Sequence, residues 1–295
     1  MMKERTLRVL EFTKIRDRLA SKAMTDMGRE RCEALVPSSN MTEIQRMQAE
    51  TEEATVILQY VGASPLVPFS DVRASLTLAE KGATLSPKAL LEVAALMQSA
   101  RAARKALDTE RDNTPILKEL AQRLSTLHNV EQDITNAIIS EDEIADRASN
   151  ELMDIRRHLR GANERIKEKL NQMIRSSAFQ KYLQDPIVTM RNDRYCLPVK
   201  AEYRGSVPGL VHDQSSTGAT LFIEPMAAVE MGNELKTWAA KEKQEIERIL
   251  AALSAEIAPY ADQLRETVET LAELDYIFAK GMLSREMNAV SPKLN

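Results

Sequence analysis

The apolar positions of this chain change period twice, and the changes divide it. Over the first 125 residues they recur in short helical stretches. Phe12, Ile15 and Leu19 mark one face, and a second helix is expected from Asp26 to Val36, stopping at Pro37. Asn40 is placed to cap a longer helix with the face Met41, Ile44, Met47, Ala54 and Leu58, with Glu43 set for the reciprocal bond and Gly62 as its end. A short helix is expected over Val72 to Glu80, ending at Gly82. Ser86-Pro87 opens another with Leu90, Ala94, Met97 and Leu107. Pro115 to Leu124 closes this helical domain.

From Glu141 to about Ala178 there is no proline and one glycine, Gly161, while Ala148, Leu152, Ile155, Leu159, Ala162, Ile166, Leu170 and Met173 step by three and four. A helix of that length spans roughly 57 Å. A second stripe runs from Ala227 to Leu283 through Leu235, Trp238, Ile246, Ile249, Leu253, Ile257, Leu264, Val268, Leu271 and Phe278, with Pro259 predicting a bend near Ala255 to Tyr260. Two long antiparallel helices follow, with Leu152 and Ile155 expected to meet Leu253 and Leu264 in a shared seam.

Between the stripes, Asp185 to Pro225 has period two. Pro186 to Met190 and Tyr195 to Lys200 read as strands around an Asn192-Asp193 turn, with Pro198 favouring an edge or bulge. Leu210 to Asp213 and Ala219 to Glu224 read as a hairpin across Ser215 to Gly218. The fold class is therefore mainly α with a small inserted β-module.

Composition agrees. Of 295 residues 43% are apolar and 28% charged, enough for folded cores with wet surfaces, while aromatics reach only 4%, few for a sandwich or barrel. The net charge of −4 argues against a strongly basic nucleic-acid surface overall, though not against a local one. Cys32 and Cys196 read as free thiols of a reducing cytosol, a single disulfide being the alternative. The charged start is no signal peptide, and no run of 18 apolar residues occurs.

Candidate chemistry is sparse. Gly205-Ser206-Val207-Pro208-Gly209 lacks the Gly-Lys-Ser/Thr of a phosphate loop, and its proline cannot donate to phosphate. His128, His158 and His212 lie in no metal-ligand spacing. His212 stands beside Asp213 near Ser215 and Ser216, but strand neighbours point to opposite faces, so a polar hairpin turn is the plainer reading. Asp142, Glu143, Asp146, Glu151 and Asp154 could converge for metal-assisted hydrolysis, yet they alternate with arginines as on a solvated helix face. No catalytic or metal-ligating residue is assigned.

The basic residues of the β-module are the candidate nucleic-acid contacts: Lys181, Arg191, Arg194, Lys200 and Arg204, with Tyr203 or Tyr195 able to stack on a base. Asp185, Asp193, Glu202 and Asp213 reduce the span 181–213 to +1. Arg156, Arg157 and Arg160 form a weaker second patch.

At Lys3 to Phe12, Gly28-Arg29-Glu30, Leu35-Val36-Pro37, Ala79 to Gly82 and Leu85-Ser86-Pro87 the chain resembles the second bacterial branch of MutS-like proteins. Val199 to Gly209 and Val211 to Pro225 are the most specific stretches, and the resemblance covers essentially the whole chain. It implies a helical core (1–125), lever helices (126–180 and 226–285), a clamp (181–225) and a linker (286–295) toward an ATPase domain. Gly205, Gly209 and Gly218 would be clamp turns, letting a flexible tip close when that ATPase switches. The resemblance further implies ATP and magnesium for the parent protein and none in this part. Homodimerisation through the ATPase domain, a terminal nuclease and a cytoplasmic location are implied too. Non-sequence-specific binding of branched or duplex DNA with suppression of recombination is the expected function. The alternatives are a ribosome-binding arm in rescue of collided ribosomes and a helical interaction scaffold. A docking patch is expected near Leu283 to Asn295 and on the first helical domain.

Overall fold

A computed structural model describes residues 4–108 and 113–294, and the chain separates into two compact units, 1–144 with 250–295, and 145–249. Each is described by itself.

The first unit is a helical bundle around its last helix. Its elements are α1 (Glu4–Val9), α2 (Phe12–Ala20), α3 (Asp26–Glu33), α4 (Met41–Val61), α5 (Arg73–Glu80), α6 (Pro87–Leu107), α7 (Pro115–Gln122) and α8 (His128–Ala137). A two-stranded hairpin follows, β1 (Ile138–Ser140) and β2 (Glu143–Ile144). The helix starts are where the capping residues put them, while α3 ends at Glu33, short of the expected Val36. Thr25 accepts from the Gly28 amide, Asn40 from Thr42 and Glu43, Ser86 from Ala89, and Gly62 closes α4 with φ 83°. The reciprocal bond expected of Glu43 goes elsewhere: Ser38 Oγ accepts from the Asn40 amide and itself donates to Glu43.

The closing helix of this unit, named α12 below, spans Ala261–Glu286 and packs on α2 through α7. Leu264, Val268, Leu271, Leu274, Ile277 and Phe278 are all inaccessible to solvent. Gly281 lets α4 approach, since a Cβ there would lie 2.9 Å from the Ala54 methyl. Where a docking patch was expected, an apolar groove of about 970 Å³ runs between α2, α4 and the 287–292 segment, lined by Phe12, Ile15, Val36, Ile44, Leu283 and Val290.

The second unit contains α9 (Asn150–Arg175), α10 (Ser177–Gln180), and strands β3 (Thr189–Arg191), β4 (Arg194–Lys200), β5 (Gly209–Gln214) and β6 (Thr220–Pro225). It ends in α11 (Met226–Ile257), which continues past the unit's boundary. The sheet is antiparallel in the order β3-β4-β6-β5. Asn192 and Asp193, with φ 49° and 58°, form the tight left-handed turn that the right-handed twist of two strands demands. Leu197, Val199 and Ile223 of the sheet form one core with Ile166, Leu170 and Ile174 of α9. The helices α9 and α11 run antiparallel: Arg165 pairs with Glu234, His158 stacks on Trp238, Arg156 pairs with Glu242 and Ser149 donates to Glu245.

Three expectations are corrected. The first long helix is 26 residues, about 39 Å, not 38 residues. Residues 141–144 go into the hairpin instead, with Glu143-Ile144 as its second strand, Ala148 falls in a 3₁₀ turn (Asp146–Ala148), and Ser149 caps α9 by accepting from Leu152. The second stripe breaks where Pro259 predicts, but the helix beyond the break belongs to the first unit. A 3₁₀ turn at Ala258–Tyr260, holding Pro259, separates α11 from α12, and α12 is the centre of the helical unit. Leu253 and Leu264 belong to the first unit and Leu152 and Ile155 to the second. Finally, Pro198 lies in an inner strand. It is tolerated because β3 stops pairing at Cys196, and past that point a single bridge, Leu183 to Val199, continues on that side.

Candidate nucleic-acid interface

Strand β4 decides where the module's cations go. Its seven residues carry Arg194 at one end and Lys200 at the other, about 20 Å apart. The sequence candidates therefore form two clusters.

At the Lys200 end, β4 leaves its sheet beside the segment that follows α10. The Lys200 amide donates to Tyr182 O at 3.0 Å and its ammonium reaches Lys181 O at 3.4 Å. Lys181 Nζ stands 4.9 Å from the centre of the Tyr182 ring. Tyr182 meets Phe179 edge-on at 5.9 Å and Tyr203 at 5.3 Å. The 3₁₀ stretch Ala201–Ser206 carries Tyr203 and Arg204 across this end, and Arg204 donates to Val207 O at 3.4 Å and Gly209 O at 3.2 Å. Among the described residues no carboxylate lies within ion-pair distance of Lys181, Lys200 or Arg204. Two half-buried tyrosine rings thus lie at the same end of β4 as three cations that have no ion-pair partner among the described residues.

At the other end the cations are spent internally. Arg194, 14% exposed, donates to Glu224 Oε1 at 3.1 Å and to Asn233 Oδ1 at 2.8 Å, and Glu224 is wholly buried. His212 Nε2 lies 2.8 Å from the other oxygen of Glu224. Arg191 lies 4.0 Å over the Phe222 ring and 3.2 Å from Asp213. Asn192 crosses to donate to His212 O, so the β3–β4 turn folds over the end of β5. Cys196, buried on this side, has its thiol pushed up to about 11 by desolvation and then by Glu224.

Arg194 is therefore a structural cation, not a free phosphate contact. The second patch is likewise neutralised: Arg156 pairs with Asp146 at 2.6 Å and Glu242 at 2.7 Å, Arg160 with Asp146 at 3.2 Å, and Arg157 with Asp154. Hydrogen bonds from Arg156, then Arg160, hold the Asp146 carboxyl below its ordinary range. Of the two tyrosines, Tyr195 is tied down, donating to Asn163 of α9 at 2.8 Å, while Tyr203 stays at the surface cluster. Gly218 is a turn residue with φ 71°. Gly205 lies in the 3₁₀ stretch, and Gly209 is a strand residue whose Cβ would lie 2.2 Å from Glu224 O. Sequence reading missed Tyr182, Phe179 and Glu224. Glu224 alternates with the core-facing Ile223, so the strand period places it on the opposite face and gave no signal that it is buried.

Among the described residues no group of three His, Cys, Asp or Glu side chains is arranged to hold a metal ion, and no helix is long and apolar enough to cross a membrane.

No protein-family model matches the chain. It is 48% identical, over its whole length, to the endonuclease MutS2 of Alkaliphilus oremlandii, and 46% identical to that of Acetivibrio thermocellus. To the endonuclease MutS2 of Symbiobacterium thermophilum it is 46% identical over 99% of its residues. It spans 37–38% of the length of these relatives. With its helical core, its antiparallel pair of long helices and its small β-module, the chain belongs to the MutS2 family.

Proposed function

We propose that these residues are the core, lever and clamp part of a MutS2-type protein, and that the Lys200 end of the β-module contacts DNA without reading its sequence. The observation that carries this is the set of unpaired cations, Lys181, Lys200 and Arg204, around Tyr203 and Tyr182. Cations meet phosphates at any sequence, and a tyrosine face stacks on any base. Branched or duplex DNA is the proposed ligand, and suppression of recombination the proposed role. ATP and magnesium binding, dimerisation and the endonuclease activity in the relatives' name are proposed for the whole protein, not for these residues.

The test is a mobility-shift series over salt concentration with a four-way junction, a plain duplex and 70S particles. Replacing Lys181, Lys200 and Arg204 together with alanine should weaken DNA binding and flatten the slope of log K against log salt by about 0.9 per lost phosphate contact. An unchanged slope would overturn the assignment. Binding confined to 70S particles would move the protein to the ribosome.

A further inference from the structure

The second unit contains two glycines in long helices with opposite surroundings. Gly232, about two turns into α11, is obligatory: a Cβ there would lie 2.5 Å from Glu224 Oε1 and 2.8 Å from Arg194 Nη1. Gly161, in the middle of α9, is not. The nearest atom to its Cβ would be Arg165 Nη1 at 3.5 Å, an ordinary contact with a flexible side chain.

Around Gly232 everything locks. Strand β6 ends at Pro225 and α11 begins at Met226, so no linker intervenes. The Met226 amide donates back to Pro208 O at 2.9 Å. Glu224 joins Arg194 of β4, His212 of β5 and, through Arg194, Asn233 of α11. A network built on a wholly buried carboxylate tolerates little displacement, because moving its partners strands the Glu224 charge away from water. On the opposite face Ile223, the neighbour of Glu224, is held in the core with Ile166, Leu170 and Ile174 of α9 and Ala228 of α11.

Around Gly161 the packing is sparser. Glycine in a helix interior costs about 0.5–1 kcal/mol relative to alanine through backbone entropy. Between Arg156 and Arg165 the one buried residue of α9 is Ala162. The links to α11 in this stretch include the Arg156–Glu242 and Arg165–Glu234 pairs and the stack of His158 on Trp238. Arg165 and Glu234 are both largely exposed, and such pairs add little rigidity.

We infer that the β-module does not hinge at its base. The sheet, the last turns of α9 and the first two turns of α11 move as one body, and the lever bends at Gly161. Bending there swings the intact module sideways, whereas a flexible tip would change its shape.

Spin-label distance distributions in the full chain test this. One pair spans the joint (Thr217→Cys with Lys236→Cys) and one spans Gly161 within α9 (Glu151→Cys with Lys169→Cys). The native thiols are buried and stay unlabelled. The joint pair should give one narrow peak and the α9 pair a broader one. Gly161→Ala should narrow the α9 pair without changing the joint pair. Gly232→Ala, or Glu224→Gln if that variant folds poorly, should cost the joint pair its single peak. A joint pair as broad as the α9 pair in the unaltered module, or an α9 pair indifferent to Gly161→Ala, would overturn the inference.

Discussion

Asp275 of α12 accepts two hydrogen bonds from Thr25, one from its amide at 2.8 Å and one from its hydroxyl at 2.7 Å. Asp275 is wholly buried, and it also accepts from the Met24 amide. Thr25 in turn caps α3 by accepting from Gly28. The amino end of α3 is thus fixed to a helix some 250 residues later by one carboxylate. Replacing Asp275 with alanine leaves three donors without an acceptor. That should cost about 3–5 kcal/mol in urea unfolding. Gly28→Ala should destabilise as well, because its Cβ would lie 2.2 Å from Asp275 Oδ2.

Glu53 predicts a pH dependence. It accepts from the Ile116 and Leu117 amides at the start of α7, yet burial outweighs those bonds and raises its pKa. A carboxyl with a raised folded pKa binds its proton more tightly folded than unfolded. Its contribution is complete below the ordinary glutamate value and is lost as pH climbs through the raised one. The melting temperature of Glu53→Gln should therefore fall less than that of the unaltered protein over this window.

Both thiols should be inert. Desolvation pushes Cys32 up to about 12, with Asp275 adding to it, and Cys196 up to about 11. Reaction requires the thiolate, so iodoacetamide at pH 8 should modify neither in the folded protein and both in urea. Mass spectrometry reads the outcome directly. Fast modification of either thiol in the folded state would contradict its burial.

Arg194 and Lys181 should behave as opposites. Arg194→Ala leaves Glu224 buried beside His212 alone and should destabilise the second unit by about 3–5 kcal/mol. Lys181→Ala should stay within about 0.5 kcal/mol, as surface changes do, while weakening DNA binding. Denaturant melts followed by Trp238 fluorescence, alongside mobility shifts, separate the two. Arg157→Ala with Arg160→Ala should change neither binding nor its salt slope, since Asp154 and Asp146 already neutralise them.

The sequence by itself determined the local choices. Helix starts at Asp26, Asn40 and Ser86, the break at Pro259, the Asn192-Asp193 turn and the period-two strands all depend on neighbours a few residues away, and each was legible. So was the set of basic residues to consider. Only the tertiary structure decided which of them are free. Charge along a sequence is summed without regard to distance, whereas an ion pair requires a partner within 4 Å. Glu224 lies 30 residues from Arg194, and Glu242 lies 86 from Arg156. The same reason explains the miscast second stripe. Its apolar period is equally that of a lever and of a core helix, and which one α12 became was set by what packs around it.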